Sequence, residues 1–280
     1  MDRRIFLKTL GILGGSALVA PVAGTAETAP DKEPVGVLVD ETRCVGCRKC
    51  EVACAEAHGL PEPNLDVHAI AGKQRPTTES QLTVVNGYGK AGEETFAKRQ
   101  CMHCAQPACV SACLTGAMHK MSDGPVLWDA KKCMGCRYCM IACPFDVPKF
   151  EYHKAVPKIR KCDLCQDRLQ EGKQPACVEI CPAKVMLFGK RIDLIETART
   201  RICGQPDEYS HSIYGEHEVG GTGWTYISPV PMEQLGFQAN LGTVAYPEYT
   251  KQFLYSVPVV LILWPAMLLA LNRATRSEEK

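Results

Sequence analysis

Two stretches of the chain are apolar for long enough to concern a membrane, and they lie at opposite ends. Phe253 to Leu271, "FLYSVPVVLILWPAMLLAL", runs for 19 residues without a charge. At 1.5 Å per residue this is about 28 Å of helix, close to the roughly 30 Å hydrocarbon thickness of a bilayer. The run has no polar face, which argues against a buried core helix, and its Pro258 and Pro265 are tolerated in membrane spans although they weaken soluble helices. At the other end, a weakly apolar, glycine-rich run from Gly11 to Ala23 follows Arg3 and Arg4. Between these ends the apolar residues come in short pieces. "GVLVD" at 36–40, "GPVLWD" at 124–129 and "KVMLFGK" at 184–190 read as strands, and "AMHKMSDGPVLW" as a hairpin turning at Asp123 and Gly124. "RIDLIETARTRI" places Ile192, Ile195 and Ile202 at helical spacing and predicts one packed helix. The pieces recur as strand, loop, helix and strand, an internal repeat.

The loops of that repeat carry the chemistry. Of 17 cysteines, sixteen fall into four groups of four. Group one holds Cys44, Cys47, Cys50 and Cys54; group two Cys101, Cys104, Cys109 and Cys113; group three Cys133, Cys136, Cys139 and Cys143; group four Cys162, Cys165, Cys177 and Cys181. Groups one and three have the C-x2-C-x2-C-x3-C spacing of bacterial ferredoxins, and Pro144 completes the run in group three. Three thiolates of such a loop surround one cubane, and the fourth reaches a neighbouring cluster. The sixteen thiols supply four ligands to each of four [4Fe-4S] clusters, without histidine.

Other uses of the thiols fit less well. Cysteines two residues apart meet disulfide geometry only with difficulty, and disulfide scaffolds are typically short chains with even cysteine counts. One tetrahedral zinc site takes four ligands from widely separated knuckles, whereas group three packs four cysteines into eleven residues. No C-x-x-C-H occurs, so covalent haem is not encoded. Cys203, outside every group, is expected to be a buried structural thiol.

Arg3 and Arg4, followed by Phe6, Leu7 and Lys8, resemble a twin-arginine export signal, here assigned to residues 1–26. That route moves folded proteins, so metal centres assembled in a reducing cytoplasm cross already shielded from disulfide chemistry. Arg273, Arg276 and Lys280 follow the 253–271 span and only Lys251 lies close before it, which puts the tail 272–280 in the cytoplasm and the globular part outside. The expected organisation is a domain over 27–237, a linker over 238–252, and the span. Residues 55–100, free of cysteine, are expected to form a partner-binding arm. Lys158, Arg160 and Lys161, beside group four, read as a solvated basic edge, a partner contact or residues that tune a cluster. The formal net charge of +1 gives no sign of nucleic-acid binding.

Four groups in this order and spacing resemble the four-cluster ferredoxin-like electron-transfer subunits of membrane oxidoreductases, a family that serves formate dehydrogenases, polysulfide and dimethyl sulfoxide reductases and quinone-linked [NiFe] hydrogenases. The resemblance covers about residues 35–190, and "YGEHEVGGTGWTYIS" at 214–228, with Gly220 and Gly221 suited to close backbone approach, extends it. Leu114 stands where the family commonly has proline. The combination of an export signal and a carboxyl-terminal span is most similar to the hydrogenase members.

The resemblance implies an α+β fold of duplicated bacterial-ferredoxin-like modules with a C-terminal transmembrane helix. It pairs group one with group four and group two with group three. One cluster would take Cys44, Cys47, Cys50 and Cys181, the next Cys54, Cys162, Cys165 and Cys177. A third would take Cys101, Cys104, Cys109 and Cys143, and the fourth Cys113, Cys133, Cys136 and Cys139. The chain would then be no enzyme on its own. It would conduct electrons between a catalytic subunit, either a hydrogenase or a molybdopterin enzyme, and an integral membrane subunit that interacts with quinone, anchored in the lipid of a bacterial inner membrane with its domain in the periplasm. A zinc-binding membrane scaffold is the rival from another class.

Overall fold

A computed structural model of the chain describes residues 33–66, 74–90 and 94–276. The expected export signal at 1–26 and the last four residues of the tail lie outside them. The described chain runs β1 (Val35–Asp40), α1 (Lys49–Ala57), β2 (Val84–Tyr88), β3 (Thr95–Arg99), α2 (Ala108–Ser111), β4 (Met118–Lys120), β5 (Val126–Trp128), α3 (Tyr138–Ile141), β6 (Lys149–Phe150) and β7 (Ile159–Arg160). It continues through α4 (Gln166–Gln170), α5 (Ala176–Glu179), β8 (Met186–Lys190), α6 (Arg191–Gly204), β9 (Trp224–Ile227) and α7 (Tyr246–Arg276).

β1 has no polar alternation because it is central and covered on both faces. It pairs antiparallel with β8, Val37 opposite Phe188, and parallel with β9, Val37 opposite Trp224. Leu38 and Ile227 face α6, where they meet Leu194 and Ala198, with Tyr209 from the segment after the helix closing the cluster. Val37, Val39, Met186, Trp224 and Tyr226 face the other way, into a core that includes Cys177 and borders Cys44, Cys50 and Cys181. The sheet thus separates a helical backing from a cysteine-bearing front.

The repeat is nested. The outer module takes its strands from the two ends of the repeat, β1 and β8, and packs α1 against α5. The inner module is the β4–β5 hairpin with α2, α3 and the short β6–β7 pair, around Met118, Val126 and Ile159. The hairpin turns where the sequence predicts, with the Gly124 amide donating to the Met121 carbonyl at 3.1 Å.

The structure departs from the sequence reading at three places. The buried stripe of α6 follows Leu194, Ile195, Ala198 and Ile202, and Ile192 is 62% exposed, because β1 lies under the face one turn further round. Residues 246–252 of the expected linker are already helix, and Leu241 and Ala245 ahead of them are buried. Of the expected arm at 55–100, the β2–β3 hairpin folds back onto α1. There the buried Glu51 carboxylate accepts hydrogen bonds from the Val85 amide at 2.6 Å, Arg75 at 2.6 Å, Gln81 at 2.7 Å and Arg48 at 2.8 Å. One carboxylate collecting four donors holds the hairpin down. Gly220, from the predicted close-approach pair, lies against Ala245, and Gly221 against the Glu216 backbone. α7 has an apolar window of mean hydropathy 2.2 with none of it buried, long and apolar enough to cross a membrane.

Candidate metal centres

The loops gather the sixteen grouped cysteines into four sets. Cys44, Cys47, Cys50 and Cys181 line one concavity, and Cys113, Cys133, Cys136 and Cys139 another. Cys104 has Cys101, Cys109 and Cys143 as its thiol neighbours. Cys162 faces Cys54 and Cys165, and Cys177 faces Cys54 and lies beside Cys165. Each set draws three thiols from one group and one from its partner group. Cys203 stands apart and is exposed in the last turn of α6, past the stripe that faces the sheet, so the expectation of a buried thiol is corrected.

The exchange between groups has a local cause. The last two cysteines of every group are four residues apart, and a short helix spans each interval: α1 for Cys50 and Cys54, α2 for Cys109 and Cys113, α3 for Cys139 and Cys143, α5 for Cys177 and Cys181. Residue i+4 sits just over one turn, about 6 Å, along the helix axis. Each helix therefore delivers its first thiol to one set and its second to the adjoining set.

The first half of each loop is curled by a left-handed residue directly before the second cysteine. These are Gly46 (φ 65°), His103 (φ 49°), Gly135 (φ 76°) and Leu164 (φ 61°). Arg48 and Arg137, just after the second cysteine in groups one and three, are left-handed as well. Such alternation turns successive amides toward one concave side, a backbone arrangement that receives anions. The glycines in groups one and three were a readable signal; His103 and Leu164 were not.

The sets form a row. Cys50 of the first neighbours Cys177 of the second, Cys162 of the second neighbours Cys101 of the third, and Cys109 of the third neighbours Cys139 of the fourth. The middle of the row is enclosed, with Cys54, Cys101, Cys109, Cys162, Cys165 and Cys177 buried, whereas Cys47 at one end and Cys136 at the other are exposed. Large apolar side chains surround both ends: Val45 is 63% exposed at the first, and Met134 66% and Leu114 89% at the last.

Electrostatics favour a group that brings its own positive charge. Burial first, then neighbouring thiols and Glu41, pushes Cys44 up to about 12; burial and Cys101 do the same to Cys109, and Cys50, Cys104 and Cys162 are held well above the ordinary thiol range. Cys113 goes the other way: what burial it has acts against ionisation, but the Met118 amide, donating to its Sγ at 3.3 Å, and Thr115 outweigh that. Crowded thiols that ionise only with compensation, curled around concave sites, fit iron-sulfur clusters, whose iron accepts thiolate.

Several polar residues around the sets escaped the sequence reading. His58, one turn after Cys54, donates to the Cys54 carbonyl and to Asp163, both at 2.8 Å. Its hydrogen bond to Asp163, then a longer one to the Cys54 thiol at 3.8 Å, hold its pKa up at about 11. His103 is buried; its Nδ1 accepts the Val126 amide at 2.9 Å, and burial keeps the ring neutral. Of the alternatives for Lys161 the solvated edge is excluded: it is buried and donates to the Cys162 carbonyl at 2.9 Å, while Arg160 pairs with Glu151 at 3.0 Å.

Comparisons with known proteins agree with this chemistry. Two models described as 4Fe-4S dicluster domains match residues 43–117 and 93–191. A protein of Nitratidesulfovibrio vulgaris is 48% identical over all of this chain and 78% of its own length. The hydrogenase-2 operon protein HybA of Escherichia coli O157:H7 is 34% identical over 91% of this chain and 90% of its own length. The iron-sulfur subunit of the nitrate-inducible formate dehydrogenase of Escherichia coli is 33% identical over 70% of this chain and 68% of its own. With its duplicated ferredoxin-like modules, the chain belongs to the 4Fe-4S electron-transfer subunits of membrane-associated oxidoreductases, which carry electrons for a catalytic subunit and are not catalytic themselves.

Proposed function

We propose that the chain holds four [4Fe-4S] clusters, one in each cysteine set, and conducts electrons between an exported [NiFe] hydrogenase catalytic subunit and a quinone-reactive integral membrane subunit. The observation that carries this reading is the row of sets, enclosed in the middle and reaching the surface at both ends. A bound cluster takes up and releases one electron at a time, with a potential set by its surroundings. The protein's part is to fix the spacing through the four short helices and to keep water from the two middle sets. Relatives of this kind are electron-transfer and not catalytic subunits, so the substrate belongs to partners.

The direction of the row relative to the membrane is supported by α7, which touches α2, the helix between Cys109 and Cys113. The end near Cys136 then serves the membrane partner and the end near Cys47 the catalytic subunit. The hydrogenase assignment rests on the near-complete overlap with HybA, against the partial overlap with the formate dehydrogenase subunit. The twin-arginine pattern and the positive residues after the span support a domain in the periplasm, a tail in the cytoplasm and a C-terminal span in the inner membrane.

Deletion of Phe253–Lys280, assayed in membranes with hydrogen and formate as alternative donors, tests the reading. Hydrogen-to-quinone flux is expected to fall while the catalytic subunit still reduces an artificial acceptor. Normal hydrogen flux with formate flux lost would replace it with the molybdopterin-enzyme assignment.

A further inference from the structure

Lys98, on β3 of the cysteine-free hairpin, is 2% exposed, yet the residues that receive its ammonium are neutral. Its Nζ donates to Thr83 Oγ1 at 2.6 Å and to Gln100 Oε1 at 2.7 Å, and sits 4.6 Å from the centroid of the Trp224 ring. Among the described residues it forms no ion pair. An uncompensated buried ammonium is costly, so an anion elsewhere must offset it.

The cysteines are that anion. Lys98 lines the same concavity as Cys44, Cys47, Cys50 and Cys181. The charges it feels most are those of Cys177, Cys50, Cys162 and Cys54, three from the second set and one from the first. The nearby carboxylate does not pair with it: Glu41 Oε1 accepts the Lys98 backbone amide at 3.0 Å, and among the described residues no ion pair joins Glu41 to the Lys98 ammonium.

Accepting that the sets hold clusters, we propose that Lys98 is a fixed positive charge that raises the reduction potentials of the first two clusters, those of the Cys44 set and the Cys54 set, relative to the other two. Reduction adds one negative charge to a site that already carries thiolates, and a cation standing between two such sites favours the added electron on either. An electron entering at the Cys47 end is thereby favoured on these two clusters, ahead of its transfer to the other two. The hairpin that brings Lys98 is, on this view, a tuning element as well as a cover.

The test is an anaerobic redox titration, followed by electron paramagnetic resonance, of the full-length chain purified in detergent. The signals of the first and second clusters are identified through the C47S and C165S variants. In K98M those two are expected to become about tenfold harder to reduce, about 59 mV for a one-electron couple, with the other two unmoved and the iron content unchanged. K98R is expected to restore the wild-type values. A K98M protein with full iron and unchanged potentials, or with all clusters shifted alike, overturns the proposal. If K98M loses iron, Q100E decides, because a carboxylate on the Lys98 ammonium cancels its charge while keeping the side chain. A downward shift of the same two clusters supports the proposal, and none overturns it. A wild-type protein lacking iron would instead overturn the cluster reading itself.

Discussion

Gly46 and Gly135 occupy the same place in the repeat, one residue before the second cysteine, and substituting alanine at each should give different results. Both are left-handed, at φ 65° and 76°, so a Cβ costs roughly 1–2 kcal/mol at either. At Gly135 that is the whole effect, since nothing lies within 4 Å of the added carbon. At Gly46 the carbon would stand 2.5, 2.6 and 2.7 Å from three atoms of the Phe96 ring. That ring has little freedom to yield, because Phe96 is paired with Gly87 across the hairpin and already packs over it. Overpacking of this kind adds about 1–3 kcal/mol. G46A should therefore lose about 2–5 kcal/mol and G135A about 1–2. Anaerobic guanidinium titration, read through the visible absorbance of the clusters, would measure both. The double variant G46A/F96A should show strong coupling, with G46A costing no more than G135A once the ring is gone. Equal losses for the two glycine variants, or additivity in the double variant, would refute the reasoning.

Other changes have equally definite outcomes. E51A leaves the Arg48 guanidinium, 3% exposed, without its carboxylate and should cost about 3–5 kcal/mol in thermal or denaturant unfolding, more than E51Q. C203S should leave the iron content unchanged, because Cys203 is exposed and apart from all four sets; iron loss on metal analysis would mean that it is a ligand. Replacing Arg3 and Arg4 by lysine should strand cluster-loaded protein in the cytoplasm on cell fractionation, whereas undiminished export would show that another route is used.

The cysteine groups were legible because ligand spacing is a local property: a curled loop followed by one helical turn is written within eleven to twenty consecutive residues. β1 and β8 were legible for a similar reason, as apolar runs without alternation. What was not legible depends on what packs against what. Nothing in "VVNGY" and "TFAKR" says that the hairpin closes over Glu51, because the four donors on that carboxylate come from four separate places in the chain. The face of α6 went astray because Ile192 and Leu194 are both apolar, and only the position of β1 decides between them. The burial of Lys98 and Lys161 could not be read from sequence either, because each is buried where it reaches a neutral acceptor beside a cysteine set.

The central claim, one cluster in each of four sets, is tested most directly by counting iron and acid-labile sulfide in anaerobically purified, full-length protein. Sixteen thiolates in four sets predict about sixteen iron and about sixteen sulfide per chain. Iron and sulfide for only one or two clusters, or zinc in place of iron, would contradict it.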